Sequence, residues 1–184
     1  MAGPLAVTRT RVVLMRTTVL LLALLASLTA CGDGGGEGGD NAGAGGAESV
    51  ERTTTERAEE AIPLASEALG ATDAEVYTQW QSCMAISSKY AAIGHLSAPE
   101  KDTAQQLDSV RTALVEFGYD DVTQVEGHVT LERDGTTVDI QQPGAAYGPD
   151  TWQVSVSSEC ARYSGDDQAR IDGDTPQLLE GLVR

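Results

Sequence analysis

The sequence predicts a small α+β domain: two or three N-terminal helices packed on a three- to four-stranded antiparallel meander, held by one disulfide. Three observations carry that prediction. Two capping-box tetrapeptides, Thr72-Asp73-Ala74-Glu75 and Ser97-Ala98-Pro99-Glu100, each precede apolar residues at helical spacing. After Gly118 the apolar period falls from 3.6 to 2. Within that second region Asp134-Gly135 separates two alternating runs, the strongest short-range hairpin signal.

Taken in order, residues 48–71 are Ala/Glu-rich with a helical look. Pro63 would interrupt one long helix or open a short one over 63–69. From the first capping box, Val76, Trp80, Cys83, Met84 and Ile93 recur at helical spacing, with Gly94 as a stop. The second box leads into Ala104, Leu107, Val110, Leu114 and Phe117, stopped at Gly118. A two-residue loop at Asp134-Gly135 pairs Arg133 with Thr136, Leu131 with Val138 and Val129 with Ile140. All four apolar side chains then share one face. Trp152 to Cys160 forms a third strand, and Val122–Glu126 is a candidate edge strand. The acidic stretch 164–174 reads as loop, and Thr175-Pro176 as the start of a last helical turn carrying Leu178, Leu179, Leu182 and Val183. With aromatics at 4%, the core must be built from Val, Leu and Ala.

The N-terminus has the three parts of an export signal: Arg9, Arg11 and Arg16, an apolar run over 19–28, then small residues. The run covers roughly 15 Å as a helix, half of a hydrocarbon core, so it is too short to span a membrane stably. Met15 is an alternative start to Met1. The run closes on Leu28-Thr29-Ala30-Cys31, which resembles the lipobox of bacterial lipoproteins. The resemblance implies removal of residues 1–30 and a diacylglycerol, palmitate-bearing Cys31 that anchors the chain to the outer face of the cell membrane. A secretory signal cut after Ala30, leaving a free Cys31, is the alternative. Residues 31–48 would be the lipidated Cys and a Gly-rich tether reaching roughly 20–25 Å, and 49–184 the domain. Scarce lysine with abundant Ala, Gly and Arg, together with Trp-x-Val-x-Val-x-x-x-Cys over 152–160, resembles small actinobacterial surface lipoproteins.

Nine of the twelve basic residues lie beyond Cys31 against all 28 acidic ones, a net charge near −19. That charge excludes a nucleic-acid partner, which would require clustered Lys/Arg against phosphate. If Cys31 carries lipid, Cys83 and Cys160 remain as an even pair in an oxidising compartment, and a disulfide between them would staple the first helix to the last strand. Both are expected at the helix–sheet interface.

No catalytic residue, cofactor or metal site is expected. His95 and His128 read as surface histidines. Asp120-Asp121 and Asp166-Asp167 read as solvated pairs. Asp33, Glu37 and Asp40 lack the spacing of a Ca²⁺ loop, and Pro176 occupies a ligand position of the one that Asp172-Gly173-Asp174 begins. The expected function is a membrane-anchored, non-enzymatic binding or interaction module with a protein or small-molecule partner. The alternative is a carrier or sensor of a small apolar or lipid ligand held between helices and sheet.

Overall fold

A computed structural model describes residues 46–84 and 86–183. The signal segment, Cys31 and nearly all of the tether lie outside the described residues. The domain is α+β, as expected, with three helices and one disulfide. Its antiparallel sheet has seven strands where three or four were expected.

Helix α1 (Ala47–Leu69) runs unbroken through Pro63. It buries Thr54, Ala58, Ala61, Ile62, Ala65 and Leu69 as one stripe, and this tertiary burial outweighs the one hydrogen bond that proline forfeits. Gly70, in the left-handed region at φ 70°, ends it: Ala71 N–H returns to Ser66 O.

The predicted helix over 72–94 is a long hairpin instead, β1 (Asp73–Met84) and β2 (Ser87–Ser97). The error has a physical source. A spacing of four places residues on one face of a helix and equally on one face of a strand. Val76 and Trp80 therefore fit both periods. Val76 and Thr78 are buried beneath the helices, whereas Tyr77 on the other phase is exposed. Met84, assigned to the apolar helix face, is 76% exposed at the hairpin end, and Ile93 lies on the sheet face away from the helices. Nor does Thr72 cap a helix, since its N–H bonds Ser97 O across the hairpin. Gly94 is no helix stop either. A Cβ there would fall 1.9 Å from Glu75 O and 2.6 Å from Val76 Cα, so β1 crosses β2 where only glycine fits.

Helix α2 (Thr103–Glu116) forms where expected, but Asp102 rather than Ser97 caps it, accepting from Gln105 N–H at 2.9 Å. Its buried face is Gln106, Val110 and Leu114. Phe117, placed on that face by the sequence, is 45% exposed. Buried Gln106 donates to Leu69 O at 3.2 Å, satisfying a terminal carbonyl of α1.

A two-residue edge strand, β3 (Asp120–Asp121), replaces the one expected over 122–126. The β4 (His128–Arg133) and β5 (Thr136–Gln141) hairpin has the predicted register, and Asp134 and Gly135 both take positive φ. Strand β6 (Thr151–Ser158) stops two residues short of Cys160. The acidic stretch read as loop contains α3 (Gly165–Asp172), which docks on α1 through Asp167 accepting from Ala47 N–H at 3.0 Å. The predicted last helical turn is strand β7 (Gln177–Leu179), paired with Val76–Thr78 of β1.

The sheet order is β3-β4-β5-β6-β2-β1-β7. Helices α1 and α2 lie on one face over Trp152, Val154, Val156, Leu96, Leu131 and Ile140, all at most 1% exposed. The other face of the sheet carries mostly polar side chains, with Tyr77 and Ile93 among them.

Candidate functional site

The disulfide joins Cys83 and Cys160, with Cα atoms 6.1 Å apart. Its surroundings correct the expected staple. Cys83 is the extra residue of a β-bulge between Ser82 and Met84, half-buried at the end of β1, and Cys160 is exposed beyond β6. Neither lies between helices and sheet. The bond ties the β1–β2 hairpin to the chain leaving β6, beside the reciprocal backbone pair Ser88–Ala161.

The two histidines stand in one row of the open sheet face, His128–Gln141–Gln153–His95 across β4, β5, β6 and β2. Three strand spacings separate them by about 14 Å, far beyond shared ligation of one ion. His128 is half-buried rather than solvated, with Nδ1 3.3 Å from Asp139 Oδ1. Asp139 also accepts from Thr130 Oγ1 and Gln141 Nε2, which ties it into the sheet. His95 packs against Tyr147 at 4.8 Å between ring centroids. Among the described residues no three His, Cys, Asp or Glu side chains are grouped to hold a metal.

One carboxylate of each Asp-Asp pair is engaged in the fold. Hydrogen bonds from Thr123, and then Arg111, hold the Asp121 carboxyl below its ordinary range. Asp167 caps α1. A polar cluster that the sequence did not reveal sits where α1 meets α3. Glu51 accepts from Trp80 Nε1 at 2.8 Å and from Arg170 Nε at 2.8 Å. Burial pushes the Glu51 carboxyl up, but the bonds from Arg170 and Trp80 together outweigh it and the net shift is downward. These groups saturate one another and present no free nucleophile or base.

Among the described residues, a groove of about 650 Å³ runs along α1. It is lined by residues 59, 60, 63, 64, 66 and 67 of α1, by 70 and 71 just past its end, and by Phe117, Leu182 and Val183. Glu59 and Glu67 make the rim acidic, while Glu60 is taken up by Arg57 at 2.7 Å. Leu64 and Leu182 supply apolar floor. Within it Ser66 is 3% exposed and its hydroxyl has no hydrogen-bond partner. A buried, unpaired hydroxyl costs free energy until something bonds to it. Sequence reasoning missed this groove because it needs the C-terminal tail to return against α1, which no local pattern signals.

No family model, curated protein or solved structure matches the chain.

Proposed function

We propose that the chain is a lipoprotein anchored through Cys31 at the outer face of the cell membrane, whose folded part is a non-enzymatic binding module. The observation that carries this reading is the Cys83–Cys160 disulfide. Disulfides persist in oxidising compartments, and this one leaves Cys31 as the single odd cysteine, at the position the lipobox resemblance assigns to lipid. No helix among the described residues is long and apolar enough to cross a membrane; diacylglycerol at Cys31 would by itself give stable attachment. The groove over α1 is where the module binds. Its acidic rim and apolar floor suit a partner that presents a cationic group beside an aliphatic one.

Feeding cells an alkyne-bearing fatty acid tests the anchor. The chain should take up label and sediment with membranes, and Cys31→Ala should lose both. Label retained by Cys31→Ala would refute the assignment. A photo-cross-linking side chain at Leu64 tests the groove in the anchored protein: it should capture a partner that the same group at Tyr77, on the open sheet face, does not. Equal capture at both positions would remove the groove from the reading.

A carrier of a small apolar ligand is the second reading, because 650 Å³ falls within the usual 300–1,000 Å³ of ligand sites. Saturable binding of an apolar fluorophore, weakened by Leu64→Asp, would favour it.

A further inference from the structure

The two most exposed large apolar side chains among the described residues are Met84 (76%) and Ile86 (63%), and both sit at the end of the β1–β2 hairpin. Described residues on both sides of the turn are tied down. The disulfide grips Cys83, and the Ser88–Ala161 pair extends the sheet beside it. Two basic residues flank it: Lys89 on β2, and Arg162, two residues past the disulfide. Neither is in an ion pair among the described residues. Glu159, the nearest acidic residue in sequence, directs its carboxylate toward Gly135, 3.9 Å from where a Cβ would stand there. In a chain this acidic, an apolar end with free cations beside it is a local reversal of the surface.

The hairpin end also faces the pole from which the tether departs. Helix α1 turns into β1 through Gly70–Thr72, so the two run antiparallel, and Glu51 touches Trp80. From that contact the helix retreats to Gly46 by about 7.5 Å. Strand β1 advances to Met84 by about 13 Å in the same direction. The hairpin end therefore leads this pole. Of the carboxylates at this pole, Asp134 in the β4–β5 turn pairs with Arg57 at 2.8 Å, Asp167 is engaged by Ala47 N–H and Glu51 by Arg170, while Glu48 and Asp166 stay with the helix starts. The chain from Cys31 to Gly46 reaches at most about 50 Å, so an anchor at Cys31 confines the domain to the membrane surface and joins it at this pole.

We propose that the hairpin end is a membrane-contacting foot: Met84 and Ile86 enter the boundary between headgroups and acyl chains, and Lys89 and Arg162 lie against headgroup phosphates. Two side chains would not hold a free protein on a bilayer. On a short tether the contact becomes intramolecular, at an effective concentration on the order of millimolar, and a weak one suffices. The foot fixes the orientation of the domain.

This inference rests on the reading of Cys31 as the anchored residue, and the test separates the two. The full chain is purified from membranes and the mass of its Cys31 peptide is measured. A lipidated chain goes directly into phosphatidylglycerol–phosphatidylcholine vesicles. If the mass shows a free thiol, the anchor reading fails, and Cys31 is coupled to a maleimide lipid in the same vesicles so that the foot is still tested. Ile86→Trp should emit at shorter wavelength and lose emission to brominated acyl chains, after subtraction of the signal from Trp80 and Trp152. Tyr147→Trp, on the loop at the opposite pole, should keep its emission. Equal quenching at the two positions, or none at 86, overturns the foot. Adding Lys89→Gln and Arg162→Gln to Ile86→Trp should weaken the quenching, and unchanged quenching overturns the role of the cations. The unsubstituted chain gives a second readout, since Met84 is the only methionine beyond Cys31. Its oxidation by peroxide should be several-fold slower on vesicles than in an unanchored Cys31→Ser chain, and equal rates overturn the contact.

Discussion

Replacing both Cys83 and Cys160 by alanine isolates what the disulfide does. The bond joins residues 77 apart, and the closed loop contains β2 through β6 with α2 between them. In the chain-entropy model that cross-link removes about 15 cal/mol/K from the unfolded ensemble, or about 4.5 kcal/mol at 25 °C. The native side contributes little, since Cys160 is exposed and Cys83 half-buried, so alanine leaves no core cavity. A domain of this size has only about 5–15 kcal/mol of net stability. With about 2.1 cal/mol/K per residue of unfolding entropy over residues 46–183, the melting point should fall by roughly 15 °C. Urea titration of the oxidised chain and the double variant, followed by tryptophan fluorescence, reads the difference directly. The double variant should also show a larger m-value, because its unfolded chain is freer to expand. A loss below about 1 kcal/mol with unchanged m would refute the reasoning, since the cross-link would then not restrict the unfolded chain.

Other outcomes follow from single sites. Gly94→Ala drives a Cβ into main-chain atoms of β1, which no rotamer change relieves, so it should cost more than about 3 kcal/mol; near-native stability in urea would contradict the close approach of β1 and β2. Gln106→Ala leaves Leu69 O without its buried donor and should cost about 1–3 kcal/mol, read by the same titration. Glu51 has a folded-state pKa below its unfolded value, so its contribution is present above the unfolded pKa near 4.3 and is lost as pH falls through the lower folded value. Glu51→Gln should therefore lower stability at pH 7 and flatten the acid limb of stability against pH; a limb as steep as that of the unsubstituted chain would contradict the assignment. Ser66→Ala should leave stability unchanged or slightly raised, because the hydroxyl it removes is unpaired, while weakening cross-linking from Leu64 in the groove.

How far each element could be read depended on how local its determinants are. The β4–β5 register was legible because two adjacent residues, Asp134 and Gly135, take the positive φ that a tight turn needs, and strict alternation on either side then leaves one pairing. Helix α2 was legible from its periodicity, although its cap was displaced to Asp102. The Cys83–Cys160 pairing followed from parity once Cys31 was set aside, but its position did not, because that required knowing that 73–84 is a strand. The β1–β2 hairpin was illegible for two reasons: no Gly, Asn or Asp stands between Met84 and Ser87, and Val76 and Trp80 satisfy both periods. The groove over α1 was equally hidden, since its walls come from α2 and the tail.

By itself, then, the sequence determined the α+β class, the β4–β5 turn, the expectation of an anchored and exported chain, and which cysteines could pair. Only the tertiary structure decided that residues 73–97 and 177–179 are strands and that 165–172 is a helix. The reason is energetic. A turn or a cap is stabilised by bonds among neighbouring residues, whereas an ambiguous stretch takes the form that lets it pair with β6 and bury Val76 and Leu96 under α1.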